Sequence, residues 1–227
     1  GTDSEKLLQL YETIVRIDFE EADIAKLLAE KYEASGKTEE AIEYYKRALP
    51  RYISKKVFVS AQEIWKKLID LIPEETDFFF TIQRKAVKNL GNDKTIELLL
   101  DLYKKYYEKE EWSICIEVLK SILSLDEKNS DARKKIVECY QKKYENHSQL
   151  AKYIKDSNLS LGWRNVFDAI NDFEKHIAFD VGNFVFHRSW GTGKIMSIKD
   201  NQLNSQLVIN FGTRYGEKEM SLKMAID

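Results

Sequence analysis

Residues 22–55 read ADIAKLLAEKYEASGKTEEAIEYYKRALPRYISK, and this stretch predicts two antiparallel helices joined by a tight turn. Its apolar residues recur at helical spacing on both sides of Gly36. We expect Gly36 to end the first helix, because glycine readily adopts the left-handed conformation found at helix ends. The small side chains of Ala29 and Ala41 would let the two helix backbones approach closely, with tyrosines filling the space beside them.

The same pattern returns at residues 96–129, where Cys115 takes the place of the small residue. The intervening residues Ala61, Trp65, Leu68 and Pro73 fit the second helix of such a unit. Since Ala61 follows Ala41 by only 20 residues, the pattern predicts a shortened or degenerate unit between the two clear ones.

These units resemble the tetratricopeptide repeat family, in which helix pairs of about 34 residues stack side by side. The resemblance implies a helical array that binds protein or peptide segments. A further first helix at 130–145, a short helix at 148–156 and an apolar stripe from Trp163 to Ile177 extend the helical region. We interpret the stripe as a terminal helix that caps the array or packs on the following domain.

The pattern changes near residue 178, where alternating apolar residues and glycines replace helical spacing. Strands are predicted at 184–187, 194–198, 206–211 and 219–222, with turns at Asp200-Asn201 and at Gly212 to Gly216. Several short strands joined by glycine corners are typical of a small antiparallel barrel. The sequence therefore predicts a mainly α chain, with a tetratricopeptide-like domain at 1–178 and an SH3-like barrel at 179–227.

Residues 182–195, GNFVFHRSWGTGKI, resemble the Tudor-like barrels of superfamily 1 repair helicases, CarD-type regulators and the transcription-repair coupling factor. The resemblance rests on an apolar strand, a histidine, an aromatic-glycine-any-glycine corner and a second apolar strand. It implies binding to RNA polymerase, with the β subunit as the expected contact, through an exposed strand edge. The residues expected to bind this partner are His187, Arg188, Trp190 and Lys194. Gly191 and Gly193 would let the chain reverse between strands, and Trp190 would also plug the barrel mouth.

The order of the two domains resembles the N-terminal extension of some bacterial Gre-type transcript-cleavage elongation factors. This resemblance implies a cytoplasmic, non-catalytic region that docks a transcription factor onto RNA polymerase. The alternative is a generic tetratricopeptide-like adaptor that binds peptide segments of another protein, with the barrel as a structural cap.

Composition and motifs argue against several other functions. With a net charge of −2 the chain has little electrostatic attraction for phosphates, so weak or no direct binding of nucleic acid is expected. The string Gly191 to Lys194 lacks the flanking residues of a nucleotide-binding P-loop, and the three histidines fit no metal spacing, so neither a cofactor nor a metal is expected. No apolar run reaches the roughly 20 residues of a membrane span, and Cys115 and Cys139 are expected to be reduced.

Overall fold

A computed structural model describes residues 2–199 and 205–222. The helical part begins with α1 (Thr2–Ile17), α2 (Asp23–Ala34), α3 (Thr38–Ser54), α4 (Phe58–Leu71), α5 (Thr76–Leu90), α6 (Asn92–Glu108) and α7 (Trp112–Leu125). It continues with α8 (Ser130–Lys143), α9 (Leu150–Asp156) and α10 (Val166–Ile177). In the described residues, none of these helices is both long and apolar enough to cross a membrane.

Helices α2, α4 and α6 begin 35 and 34 residues apart and bury equivalent positions. The buried sets include Ala25, Leu28, Ala29 and Tyr32 in α2, Ala61, Ile64, Trp65 and Leu68 in α4, and Thr95, Leu98, Leu99 and Leu102 in α6. The predicted shortened unit is therefore wrong, because Ala61 and Trp65 lie on the first helix of a complete pair. The error came from matching Ala61 to Ala41, whereas its structural equivalent is Ala25.

Polar contacts join the first helices of successive pairs. Lys26 on α2 reaches Glu63 on α4 at 2.5 Å, and the indole Nε1 of Trp65 donates to the carbonyl of Leu98 on α6 at 2.8 Å. The second helices α3 and α5 also pack against each other. The pairs therefore stack in two rows, which is how a helical repeat buries a stripe that a single pair leaves in water.

The hairpins of this array close with one repeated backbone motif. Gly36, Lys56 and Glu110 follow α2, α3 and α6 with φ angles of +72°, +59° and +58°. In each case the next N–H bonds back to a carbonyl five residues earlier, as from Lys37 to Tyr32 at 2.9 Å. This is the Schellman arrangement, and two of its three left-handed positions here are filled by residues other than glycine.

The sheet follows α10 and contains β1 (Phe184–His187), β2 (Gly191–Lys199), β3 (Gln206–Asn210) and β4 (Glu217–Ser221), with a short helix α11 (Gly212–Tyr215) before β4. The strands are antiparallel in the order β1-β2-β3-β4. Ile195, Leu207, Ile209 and Phe211 form the centre of its core. The predicted class, mainly helical with a small Tudor-like β domain at the end, is confirmed. The predicted turn at Asp200-Asn201 lies outside the described residues.

The chain packs as two compact units, Gly1–Asp126 and Glu127–Asp227. Helices α8 to α10 therefore belong with the sheet, in a C-terminal unit, and α1 to α7 form an N-terminal unit. The change from helix to strand falls between Ile177 and Phe184. That 1–178 and 179–227 are separate domains stays a prediction. Within the predicted stripe, the side chain of Trp163 is exposed, while Val166, Phe173 and Ile177 are buried.

Candidate protein-interaction surface on the sheet

Strand β1 exposes both of its phenylalanines. Phe184 is 69% and Phe186 78% exposed, although each belongs to a regular strand. In the ladder with β2, Phe184 lies opposite Lys194 and Phe186 opposite Thr192. Directly opposed residues of antiparallel strands project from the same face of a sheet. These four residues therefore form one exposed surface, which we call the β1 face.

The outer edge of β1 adds backbone groups to the β1 face. The carbonyl of Asn183 accepts a hydrogen bond from the N–H of Ile195 at 2.9 Å. Since every second residue of an antiparallel strand bonds to the same neighbour, Val185 also faces β2. The N–H and C=O groups of Phe184 and Phe186 point to the opposite edge. Among the described residues, no strand pairs with that edge.

The corner between β1 and β2 is held by stacked rings. The rings of His187 and Trp190 are stacked with their centroids 4.0 Å apart, and the ring of Phe211 lies 5.4 Å from that of Trp190. The N–H of Ser189 donates to Nδ1 of His187 at 3.1 Å. The Nζ atom of Lys218 lies 5.7 Å from the Trp190 ring centroid. Two of the four predicted partner-binding residues thus contribute to the shape of the corner itself.

The two corner glycines have different reasons to be glycine. Gly191 has a φ angle of +76°, which favours glycine at the start of β2. Gly193 lies inside β2, where an added Cβ atom would come within 2.6 Å of Ile209 Cγ2 and of the Phe211 ring. The expected role of both glycines was chain reversal. At Gly193 the reason is different, because the ring of Phe211 lies too close to leave room for a side chain.

The other two predicted partner-binding residues are on the surface. Arg188 and Lys194 are both exposed, at the corner and on the β1 face respectively. Within the described part of the chain, neither forms an ion pair. Their charges are therefore available to a partner.

A polar cluster connects β1 to the preceding helices of the C-terminal unit. Ser148 Oγ donates to Asp180 Oδ1 at 2.5 Å, and the N–H of Val181 donates to the same oxygen at 2.8 Å. Burial raises the pKa of Asp180, but these hydrogen bonds and the nearby His147 outweigh it and leave the pKa below its usual value. Asn183 also donates to the carbonyl of Ala178 at 3.0 Å. The strand is thus attached to the helices immediately before its exposed edge.

Sequence reasoning did not identify Phe184 and Phe186 as surface residues. The string FVFH is apolar at both alternate positions, so alternation alone does not tell which side chains face the core. The register of the β1–β2 hairpin would have identified them, because it pairs both phenylalanines with polar residues of β2. In the described residues, no group of three or more His, Cys, Asp and Glu side chains could hold a metal ion. Cys115 and Cys139 are buried and form no disulfide.

Both the helical part and the sheet are similar to known proteins. Residues 181–225 match the PcrA/UvrD tudor domain family. The chain is 48% identical over 223 residues to the "Putative GreA-associated domains protein" of Treponema pallidum (strain Nichols), covering 98% of the chain and 33% of that relative. It is 32% identical over 212 residues to the "Transcription elongation factor GreA" of Borreliella burgdorferi, covering 93% of the chain and 23% of that protein.

The chain spans about a third and about a quarter of the length of these two relatives. The comparisons confirm the predicted resemblance to a Tudor-like domain and to a region of Gre-type elongation factors. The chain is therefore related to a segment of Gre-associated proteins. Its partners are not given by these names.

Proposed function

We propose that this chain is a non-catalytic docking region of a transcription elongation factor, and that its sheet binds RNA polymerase through the β subunit. The observation that carries the proposal is the β1 face, where two exposed phenylalanines lie beside a strand edge with outward-pointing backbone groups. The relation to Gre-associated proteins supports polymerase as the partner.

The mode of binding that fits this surface is strand addition. Phe184 and Phe186 each offer one N–H and one C=O to a strand laid against the outer edge of β1. Side chains of the added strand would lie opposite the two phenylalanines, and such cross-strand aromatic pairs contribute roughly 0.2–1 kcal/mol each. Main-chain bonds would supply affinity, and the aromatic pairs would select the partner strand.

The predicted site residues take two roles in this proposal. Lys194 on the β1 face and Arg188 at the corner carry charges that would speed encounter with an acidic patch on the polymerase. His187 and Trp190 hold the corner through their stacked rings, and the exposed part of Trp190 extends the contact. Phe184 and Phe186 are added to the four residues predicted from sequence.

The adaptor hypothesis is supported by a separate observation, the three stacked helix pairs at the spacing of tetratricopeptide units. Under that hypothesis the helices bind a peptide and the sheet is only a structural cap. A binding experiment distinguishes the two hypotheses, since only polymerase docking requires the charges of Arg188 and Lys194.

The test uses the full 227-residue chain and purified core RNA polymerase immobilised on a sensor. We expect saturable binding by the wild type and roughly ten-fold slower association for Arg188→Glu/Lys194→Glu, with a weaker dependence on salt. The matched control is Lys142→Glu/Arg214→Glu, which also reverses two exposed charges, one on α8 and one on α11. It should associate like the wild type, and thermal melts should show that all variants fold.

Two results would contradict the proposal. Absence of wild-type binding to core polymerase at low salt would favour the adaptor hypothesis. Equal association rates for the wild type and the double reversal would show that the β1 face is not the contact, even if the chain binds polymerase by another surface.

A further inference from the structure

A cleft with a volume of about 550 Å³ opens on the N-terminal unit, beside α3, α5 and the loop before α2. Five basic side chains line it, namely Lys46, Arg47, Arg51, Lys55 and Lys85. Glu20 is the acidic residue of its lining. Residues 1–126 carry 20 Lys and Arg against 25 Asp and Glu, so this concentration of positive charge lies on a unit that is acidic as a whole.

Two of the basic side chains are already neutralised by carboxylates. Lys46 Nζ lies 2.6 Å from Glu75, and Arg47 forms an ion pair with Glu43 one helical turn away. Neither carboxylate partner belongs to the lining, but both pairs reduce the charge that Lys46 and Arg47 offer to a ligand.

The other three cations are not paired in this way. Arg51 donates to the backbone carbonyls of Glu21 at 2.5 Å and Val15 at 3.0 Å, and the carboxylates of Asp18 and Glu21 act on its charge from nearby. Lys55 and Lys85 form no ion pair within the described residues. The cleft therefore presents two ammonium groups, those of Lys55 and Lys85, that have no carboxylate partner in the described residues.

An apolar platform adjoins these charges. The side chain of Phe19 is 79% exposed at the rim of the cleft, and Pro50 of α3 also contributes to the lining. A large aromatic side chain left in water beside positive charges is a common anchor for a partner side chain. A ligand that fits must combine negative charge with at least one large apolar group.

We propose that this cleft binds an acidic peptide segment that carries an aromatic or large aliphatic side chain. Carboxylates of the segment pair with Lys55 and Lys85, and its apolar side chain packs on Phe19 and Pro50. A single-stranded nucleic acid fits less well, because a chain of phosphates needs an excess of basic residues and residues 1–126 carry 20 Lys and Arg against 25 Asp and Glu. The site is separate from the β1 face and does not depend on polymerase docking by the sheet.

The experiment is a fluorescence-anisotropy titration of the full chain into a labelled short peptide of Asp and Glu with one central Phe. We expect saturable binding that weakens with salt and falls about ten-fold or more for Lys55→Glu/Lys85→Glu, since like charges then face the peptide. The matched control is Lys31→Glu/Lys109→Glu, which reverses two exposed lysines of the same unit outside the cleft. It should bind within about two-fold of the wild type.

A second pair of probes tests the apolar platform. Phe19→Ala should weaken binding of the Phe-containing peptide and leave an otherwise identical Ala-containing peptide unaffected. Equal losses for the cleft and control reversals, equal binding of an Asn/Gln peptide, or no saturable binding would each overturn the proposal. Tighter binding of a labelled oligouridine that depends on Lys55 and Lys85 would overturn it in favour of nucleic acid.

Discussion

Large apolar side chains are buried in the helical array but exposed on strand β1. In α4 the side chain of Trp65 is fully buried, its Nε1 is hydrogen bonded to Leu98, and its ring meets the edge of Phe79 at 5.1 Å. In β1 two phenylalanines are mostly in water. The first arrangement stabilises the fold, whereas the second contributes little to it.

The difference separates residues that maintain the structure from residues available for binding. A buried aromatic contributes through the apolar area it removes from water, at about 25 cal/mol per Å². The apolar area of an exposed aromatic side chain is still in water, and a partner that covers it gains this free energy on binding. Substitutions in the two regions should therefore affect different measurements.

The largest effect on stability is expected at Trp65. Trp65→Ala removes a fully buried ring and its hydrogen bond, and should lower the free energy of unfolding by about 3–5 kcal/mol. The matched change Phe186→Ala removes an exposed ring and should stay within about 0.5 kcal/mol of the wild type. Urea denaturation followed by circular dichroism measures both. A large loss for Phe186→Ala would contradict the division between the two regions.

A smaller effect is expected at Gly193. Its Cβ position lies within 2.6 Å of Ile209 and the Phe211 ring, so Gly193→Ala should overpack the sheet and cost about 1–3 kcal/mol. Gly162→Ala is the control, since nothing lies within 4 Å of its Cβ position. Thermal melts compare the two. If they melt together, the close approach of Phe211 does not constrain β2.

The repeat register gives a comparable prediction in the array. Ala41 is fully buried between α3 and its neighbours, so Ala41→Leu should cost roughly 1–3 kcal/mol through overpacking. Ala34→Leu places the same side chain at an exposed position of α2 and serves as its control. An unchanged melting temperature for Ala41→Leu would count against the register of the helix pairs.

The smallest effect is a gain in stability at the hairpin closures. Lys56 has a φ angle of +59°, a conformation that glycine adopts without steric cost, so Lys56→Gly should stabilise the chain by about 0.5–1 kcal/mol. Lys55→Gly, at a neighbouring right-handed position with φ of −78°, should destabilise it instead. Denaturant midpoints distinguish the signs, and a loss at Lys56→Gly would refute the Schellman assignment.

The helix pairs were predictable where small residues and a glycine agreed, as around Gly36. The pattern assigned Ala61 to the wrong helix of a pair, because the residues that end the helices before the next turns are Lys56 and Glu110 rather than glycine. Without a glycine to mark the turn, spacing from Ala41 gave the wrong helix. A left-handed lysine or glutamate is uncommon, so residue preference does not predict a helix end at Lys56 or Glu110.

In the sheet, the strand order and the corner were accessible from the Tudor-like resemblance, but the binding surface was not. Phe184, Val185 and Phe186 are all apolar, and which of them face water is decided by the pairing of β1 with β2. Likewise, the reason for Gly193 is a ring from β3's end, far along the chain. Local patterns carry no information about such contacts.

The central claim, strand addition at β1, is tested most directly by comparing Phe186→Pro with Phe186→Ala in binding to purified core RNA polymerase. The N–H of Phe186 points away from β2, so proline removes an outward donor without breaking an internal ladder bond. We expect weaker binding for Phe186→Ala and a further loss of about ten-fold for Phe186→Pro, with both chains folded by circular dichroism. Equal affinities for the two variants would show that the backbone of β1 does not pair with the polymerase, and would contradict the account.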